Sequence, residues 1–165
     1  MKEKNTAFPV QENASSSQNA NIEAEKIALR LIARAEQNSR GLLNKLLLRG
    51  VEISIGKEVI DSLLDRNLLN DERYAELWIK SRLAGRKAAS PRQLMNTLRN
   101  KGIDKYSLKE AMEKSFDSDS EFILLCNFLD KNPENKELDE NYLIPLLKYE
   151  GFSADSINRY FEGNE

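Results

Sequence analysis

The chain has no histidine and a single cysteine, Cys126, in 165 residues. Lack of histidine excludes imidazole-based acid–base schemes, and one thiol excludes most thiolate–imidazole zinc sites and any intrachain disulfide framework. Cys126 lies in EFILLCNFL beside apolar neighbours and reads as a small buried hydrophobe rather than a reactive thiol. No apolar run approaches the roughly 20 residues that a membrane span needs. The N-terminal MKEKNTAFPVQENASSSQNA has no apolar core of signal-peptide length, so a cytoplasmic location without membrane attachment is expected. No glycine-rich phosphate loop is present, and no spacing of carboxylates marks an acid–base pair. The chain is therefore expected to be neither an enzyme nor the holder of a cofactor or metal.

What remains is a charged, helix-favouring composition, with 32% charged and 40% hydrophobic residues. The charge is unevenly placed. From Arg73 to Lys105 nine basic side chains face only Glu76 and Asp104, a net of +7 in a chain whose total is −2. The nine are Arg73, Lys80, Arg82, Arg86, Lys87, Arg92, Arg99, Lys101 and Lys105. Residues 106–165 carry six basic and fourteen acidic side chains. A basic centre beside an acidic end suits a protein that meets a polyanion with one part and another partner with the rest; solvated helix faces are the plainer alternative.

Apolar residues recur at the helical period along most of the chain, so an all-α fold is expected. Residues 1–21 are polar and aperiodic and read as a disordered tail. Residues 22–37 form a first helix with Ile27, Ala28, Leu31, Ile32 and Ala35 on one stripe. Ser39 suits the N-cap of a second, closed at Gly50, and after a VEISI loop a third runs from Gly56 with Val59, Ile60, Leu63 and Leu64 inward. The plan then repeats. Asp71 opens a helix with Tyr74, Ala75, Trp78, Ile79 and Leu83 apolar; Ser90 and Pro91 open the next, closed at Gly102; a third carries Leu108, Ala111 and Met112. In the last copy Phe122, Leu125, Cys126 and Leu129 line one helix. A polar linker, KNPENKEL, leads to a helix with Leu143, Ile144 and Leu147, closed at Gly151. Ser153 caps the final one, with Ile157, Tyr160 and Phe161 inward.

The middle helices align on Leu43/Met95/Ile144, Leu46/Leu98/Leu147 and Gly50/Gly102/Gly151, the glycines being 52 and 49 residues apart. Such a period signals stacked supersecondary units that share buried surface, although a single bundle of nine short helices carries the same periodicity. The expected organisation is three tandem three-helix repeats, residues 22–69, 70–116 and 117–165, stacked into an elongated, curved body. The three-residue difference in period is assigned to the VEISI loop. Pro145 either falls in the first turn of its helix, with Asn141 as cap, or kinks it, so the third repeat is expected to be the least regular.

The segments ALRLIARAEQNSRGLLNKLLLRG, LLNDERYAELWIKSRL and SPRQLMNTLRNKGID together resemble the RecX family of bacterial recombinase regulators. The features that carry the resemblance are Ala28-Leu29-Arg30, Arg34, Ser39-Arg40, Leu46, Gly50, Asp71-Glu72-Arg73-Tyr74-Ala75, Arg82, Pro91-Arg92 and Lys101-Gly102-Ile103. It extends over residues 27 to about 116 and is weak beyond. Two departures stand out: Ser90 where the family often has glycine, and Thr97 where it often has glutamate. The resemblance implies a monomeric protein that binds the groove of the RecA–single-stranded DNA filament and restrains ATP hydrolysis and strand exchange by RecA.

The candidate residues for contact with RecA or DNA are Arg30, Arg34, Arg40, Arg73, Lys80, Arg82, Arg86, Lys87, Arg92, Arg99 and Lys101. Lysine and arginine on helix faces neutralise phosphates, and arginine also pairs with carboxylates of a protein partner. Arg82, Arg86 and Lys87 equally complement a helix C-terminus. Arg92 and Arg99, seven apart, share a helix face, and Trp78 falls on the core stripe rather than at a stacking position. The acidic last repeat is expected to meet protein rather than DNA. Two other functions compete: a helix-turn-helix transcription regulator reading bases with Arg92, Gln93 and Asn96, and a helical-repeat protein–protein scaffold.

Overall fold

The computed structural model describes residues 11–85 and 89–163. Among the described residues the chain is all-α, with helices α1 (Gln11–Ile32), α2 (Ser39–Leu47), α3 (Ile53–Asp65), α4 (Asp71–Leu83), α5 (Pro91–Asn100), α6 (Lys105–Ser115), α7 (Ser118–Lys131), α8 (Pro133–Lys136), α9 (Glu140–Tyr149) and α10 (Ala154–Glu162). No described helix is long and apolar enough to cross a membrane. The helices form repeat-like groups, α1–α3, α4–α6 and α7–α10. In each group the first and last helices pack most extensively: α1 on α3, α4 on α6, α7 on α10. The chain divides into two compact units, one ending at Asn70 and the other running from Asp71.

The repeat is visible atom by atom at the end of each middle helix. Gly50, Gly102 and Gly151 have φ of 82°, 90° and 90°. After each glycine the next amide reaches back five residues: Val51 N–H donates to the Leu46 carbonyl at 3.2 Å, Ile103 to Leu98 at 3.1 Å and Phe152 to Leu147 at 3.1 Å. Each glycine amide also donates to a carbonyl three residues back, completing a Schellman closure with an apolar residue behind it. Leu46, Leu98 and Leu147 are all fully buried, and Leu42, Leu94 and Leu143 one turn earlier are buried too. The third helices start three residues after each glycine, at Ile53, Lys105 and Ala154. An ion pair then ties the last helix of each group to its first: Arg66 to Glu25, Lys114 to Glu72, and Arg159 to Asp119 at 2.6 Å.

The first unit has one core, formed by Ala24 and Ala28 of α1, Leu42 and Leu46 of α2, Val59, Ile60 and Leu63 of α3, and Leu69. In the second unit Ala75, Ile79, Leu98, Ile103, Leu108 and Ala111 pack together. Leu94 joins instead the residues from α7, α9 and α10, so the second and third groups share buried surface. Trp78, Leu83 and Phe116 are half-buried and pack against both clusters. The α7 face is broader than the expected stripe and includes Leu124 and Phe128, because this helix faces α10 and also this shared core.

Several local expectations are corrected. Helix α1 begins at Gln11, so residues 11–21 are helical rather than a tail; residues 1–10 lie outside the described residues. Once a helix is nucleated by its buried segment, extending it through Ala-, Gln- and Glu-containing sequence without Gly or Pro costs little per residue. The same helix stops at Ile32, leaving Ala35 exposed in the following turn. The N-cap of α2 is Asn38, not Ser39. Of VEISI only Val51 and Glu52 are loop: α3 starts at Ile53, and Gly56 lies inside it, where a Cβ would come within 2.8 Å of Leu43 Cδ1. The extra length of the first period lies instead in α3, 13 residues against 11 for α6, and in the link before α4. KNPENKEL contains a helical turn, α8. Asn141 is not a cap: α9 starts from Asp139 and runs through Pro145, which cannot donate to the Asn141 carbonyl.

Asp104 caps α6, its carboxylate accepting from the amides of Tyr106 at 2.8 Å and Ser107 at 3.0 Å. Hydrogen bonding, first from the Ser107 side chain and then from its amide, holds this carboxyl below the ordinary aspartate value, against a smaller opposing effect of burial. A depressed folded-state pKa contributes stability above the unfolded value and loses it as pH falls through the folded one. Asp104→Ala is therefore expected to cost about 0.5–2 kcal/mol near neutral pH. That cost should shrink below about pH 4, as checked by urea unfolding of both proteins across the acid range; a pH-independent difference would contradict the ionised cap.

Candidate functional site

The expected cationic residues fall into distinct environments. In the second unit most of them are already engaged. Lys80 pairs with Glu76 at 3.7 Å across one turn of α4. Arg82 lies over the Trp78 ring, 4.8 Å from its centroid. Arg73 and Lys101 are half-buried. Arg99 is exposed and donates to Asn96 Oδ1 at 3.3 Å. Arg86 and Lys87 lie outside the described residues.

Arg92 has a structural task. Its guanidinium stacks 3.6 Å from the centroid of the Tyr149 ring and donates to the Tyr149 carbonyl at 3.4 Å. Its amide donates to the Glu150 carbonyl at 3.0 Å. Beside it the Glu150 carboxylate accepts from the Ser90 hydroxyl, while Ser90 and Gln93 close a capping box on α5. The C-terminus of α9 thus sits on the N-terminus of α5, supplying a carbonyl and a carboxylate where the helix has unpaired amides. Arg92 and Arg99 share a helix, but only Arg99 remains exposed. A recognition helix reads bases with its N-terminal residues. At that end of α5 Arg92 is held by α9, while Gln93 and Asn96 remain exposed.

The first unit is different. Arg30 and Arg34 line one cleft of about 190 Å³ together with Ile27, Leu31 and Arg49. All three arginines are exposed, and among the described residues none has a carboxylate within ion-pair distance. Arg40 lies elsewhere, on a larger cleft of about 400 Å³ between α2 and α3, with Ser39, Leu43, Lys57, Ile60, Asp61 and Leu64. Sequence reasoning missed Arg49. It precedes Gly50 as Lys101 precedes Gly102, so extending the repeat alignment by one position would have paired it with Lys101.

Among the described residues no group of three His, Cys, Asp or Glu side chains could hold a metal ion. Burial, reinforced by Asp130, pushes the Cys126 thiol up, away from the reactive thiolate.

The repeated Schellman closures and the recurrent first-to-last helix packing define a protein class: all-helical chains built from tandem three-helix modules. Residues 70–112, which hold α4 and α5 and most of α6, match the family model described as RecX, second three-helix domain. The chain is 34% identical over 109 residues to the regulatory protein RecX of Treponema pallidum, covering 66% of either chain. It is 27% identical over 131 residues to the regulatory protein RecX of Acinetobacter baylyi, covering 79% of this chain and 81% of that one. The crystal structure of RecX from Lactobacillus salivarius superposes with a TM-score of 0.65 at 20% identity, over 88% of this chain and 97% of that one. The chain belongs to the RecX family.

Proposed function

We propose that this protein regulates a RecA recombinase by binding the RecA–single-stranded DNA filament, and that it lowers ATP hydrolysis and strand exchange without catalysing either. The observation that carries this reading is membership of the RecX family, with the middle helix group matching that family's second three-helix domain. The distribution of charge supports it. Exposed arginines suit phosphates or the carboxylates of a protein surface, and the acidic α7–α10 group, which bare DNA would repel, suits contact with protein in the filament. The competing scaffold reading needs no clustered arginines, and the engagement of Arg92 by α9 takes one of the three candidate base-reading side chains from a helix-turn-helix regulator.

The test is ATP hydrolysis by RecA on single-stranded DNA, titrated with this protein. Suppression at or below one molecule per recombinase subunit is expected, with a parallel loss of strand exchange. A turnover rate that stays level through a large excess would reject the reading.

A further inference from the structure

We infer that the cleft formed by Arg30, Arg34 and Arg49 in the first unit is a binding site for the phosphodiester backbone of single-stranded nucleic acid, outside the basic second unit. The inference deepens the filament reading, since it names which surface meets the strand, but its test does not require RecA.

The placement follows from the ends of two helices. Arg30 is in the last turn of α1, and Arg34 follows in the turn, its amide donating to the Leu31 carbonyl at 3.3 Å. Arg49 lies just beyond α2, and its guanidinium donates to the Lys45 carbonyl at 2.7 Å. A structural role at these helix ends accounts for part of this arrangement, but not all of it. Each helix C-terminus carries about half a negative charge, so two of them offset about one of the three guanidinium charges. Arginine has five N–H donors, and the Lys45 carbonyl takes one of those of Arg49.

Glu23, the acid on which Arg30 acts, is already engaged. Glu23 pairs with Lys26 at 2.7 Å, and that contact, rather than the weaker pull of Arg30, dominates the lowering of its pKa. Three cations therefore converge on one cleft with an excess of positive charge. Its walls are Ile27 and Leu31, half-buried apolar side chains that suit the sugar and base flanking a phosphate better than a free, fully hydrated anion. Guanidinium is the side chain that meets phosphate oxygens with paired donors. In the second unit, by contrast, Arg92 is stacked on Tyr149, Arg82 on Trp78, and Lys80 is paired.

The experiment measures binding of a fluorescent oligothymidylate to the full-length protein across a salt series, without RecA. Each phosphate neutralised on a single strand contributes about −0.7 to the slope of log affinity against log salt. Arg30→Gln with Arg34→Gln, which leaves the Arg49–Lys45 contact intact, should reduce the slope by about 1.4, and adding Arg49→Gln should bring the reduction to about 2. The triple variant should bind about tenfold or more weakly at moderate salt. Lys109→Gln, Lys131→Gln and Lys148→Gln together remove the same formal charge elsewhere and should leave the slope near that of the parent. Circular dichroism confirms that each variant keeps its helicity.

A triple arginine variant with native helicity and the parental slope would overturn the site, as would equal losses in the lysine control. Displacement of the oligonucleotide by equimolar inorganic phosphate would overturn the assignment to a strand and leave a simple anion pocket. If these losses occur but RecA turnover is untouched by the parent protein, the site stands and the filament reading fails.

Discussion

Leu98→Ala is expected to lower the unfolding free energy by about 2–5 kcal/mol, and Leu46→Ala and Leu147→Ala should cost comparable amounts. The three leucines hold the same register position before the three closing glycines, and each is completely buried. Each is also the residue whose carbonyl accepts the long return bond that ends the middle helix. Truncation removes apolar contact area and leaves a cavity, and the spread in cost depends on how far the surroundings can collapse into it. Leu46 packs in the single core of the first unit, whereas Leu147 belongs to the cluster that also takes Leu94 from the neighbouring group. Urea unfolding followed by circular dichroism provides the measurement. A loss below about 1 kcal/mol for Leu147→Ala would fall outside the range for a buried leucine and would contradict equivalence of the third group with the other two.

The second large effect is at Gly151. Its φ of 90° is one that L side chains avoid, at a cost of about 1–2 kcal/mol. Gly50 has a similar φ, but a Cβ there would meet nothing within 4 Å. At Gly151 a Cβ would already contact Pro91 Cβ at 3.4 Å and Arg92 N at 3.5 Å, so a longer side chain has to push α5 away. Gly151→Leu is expected to cost about 1–3 kcal/mol more than Gly50→Leu, the overpacking component alone. It should also free the Arg92 amide from the Glu150 carbonyl, a loss visible as faster exchange of that amide. Equal destabilisation by the two substitutions would mean that docking of α9 on α5 contributes nothing beyond the local turn.

How much of this was legible in the sequence differs by element. Helix periods and closing glycines were readable because they are local: an apolar stripe and a left-handed cap need only neighbouring residues. The capping box at Ser90 and Gln93 belongs to this class. Helix starts were read less well. Asn38 and Glu52 sit at N-caps without a side-chain cap bond, and Gly56, read as the first residue of its helix, lies inside it at a close approach to Leu43. The α1 segment before Ile22 carried no apolar signal, because its helicity is propagated from the buried part rather than earned by its own packing.

The candidate site was less legible, since charge density along a chain does not say which charges are already paired. The span from Arg73 to Lys105 was the most basic by count, yet its arginines at positions 82 and 92 are stacked on aromatic rings. Tyr149, which holds Arg92, lies 57 residues away in sequence. The cleft of the first unit gathers Arg49, just beyond α2, with Arg30 from the last turn of α1 and Arg34 from the turn after it, and no local pattern joins them.

By itself the sequence determined an all-helical chain of repeated three-helix groups, its family, and the position of each closing glycine, because periodicity and turn chemistry act over a few residues. Only the tertiary structure decided that the second and third groups share buried surface, that Arg92 is a structural clamp, and that three arginines of the first unit converge on one cleft. Those outcomes depend on which side chains meet across long separations, and on whether each charge finds a partner there.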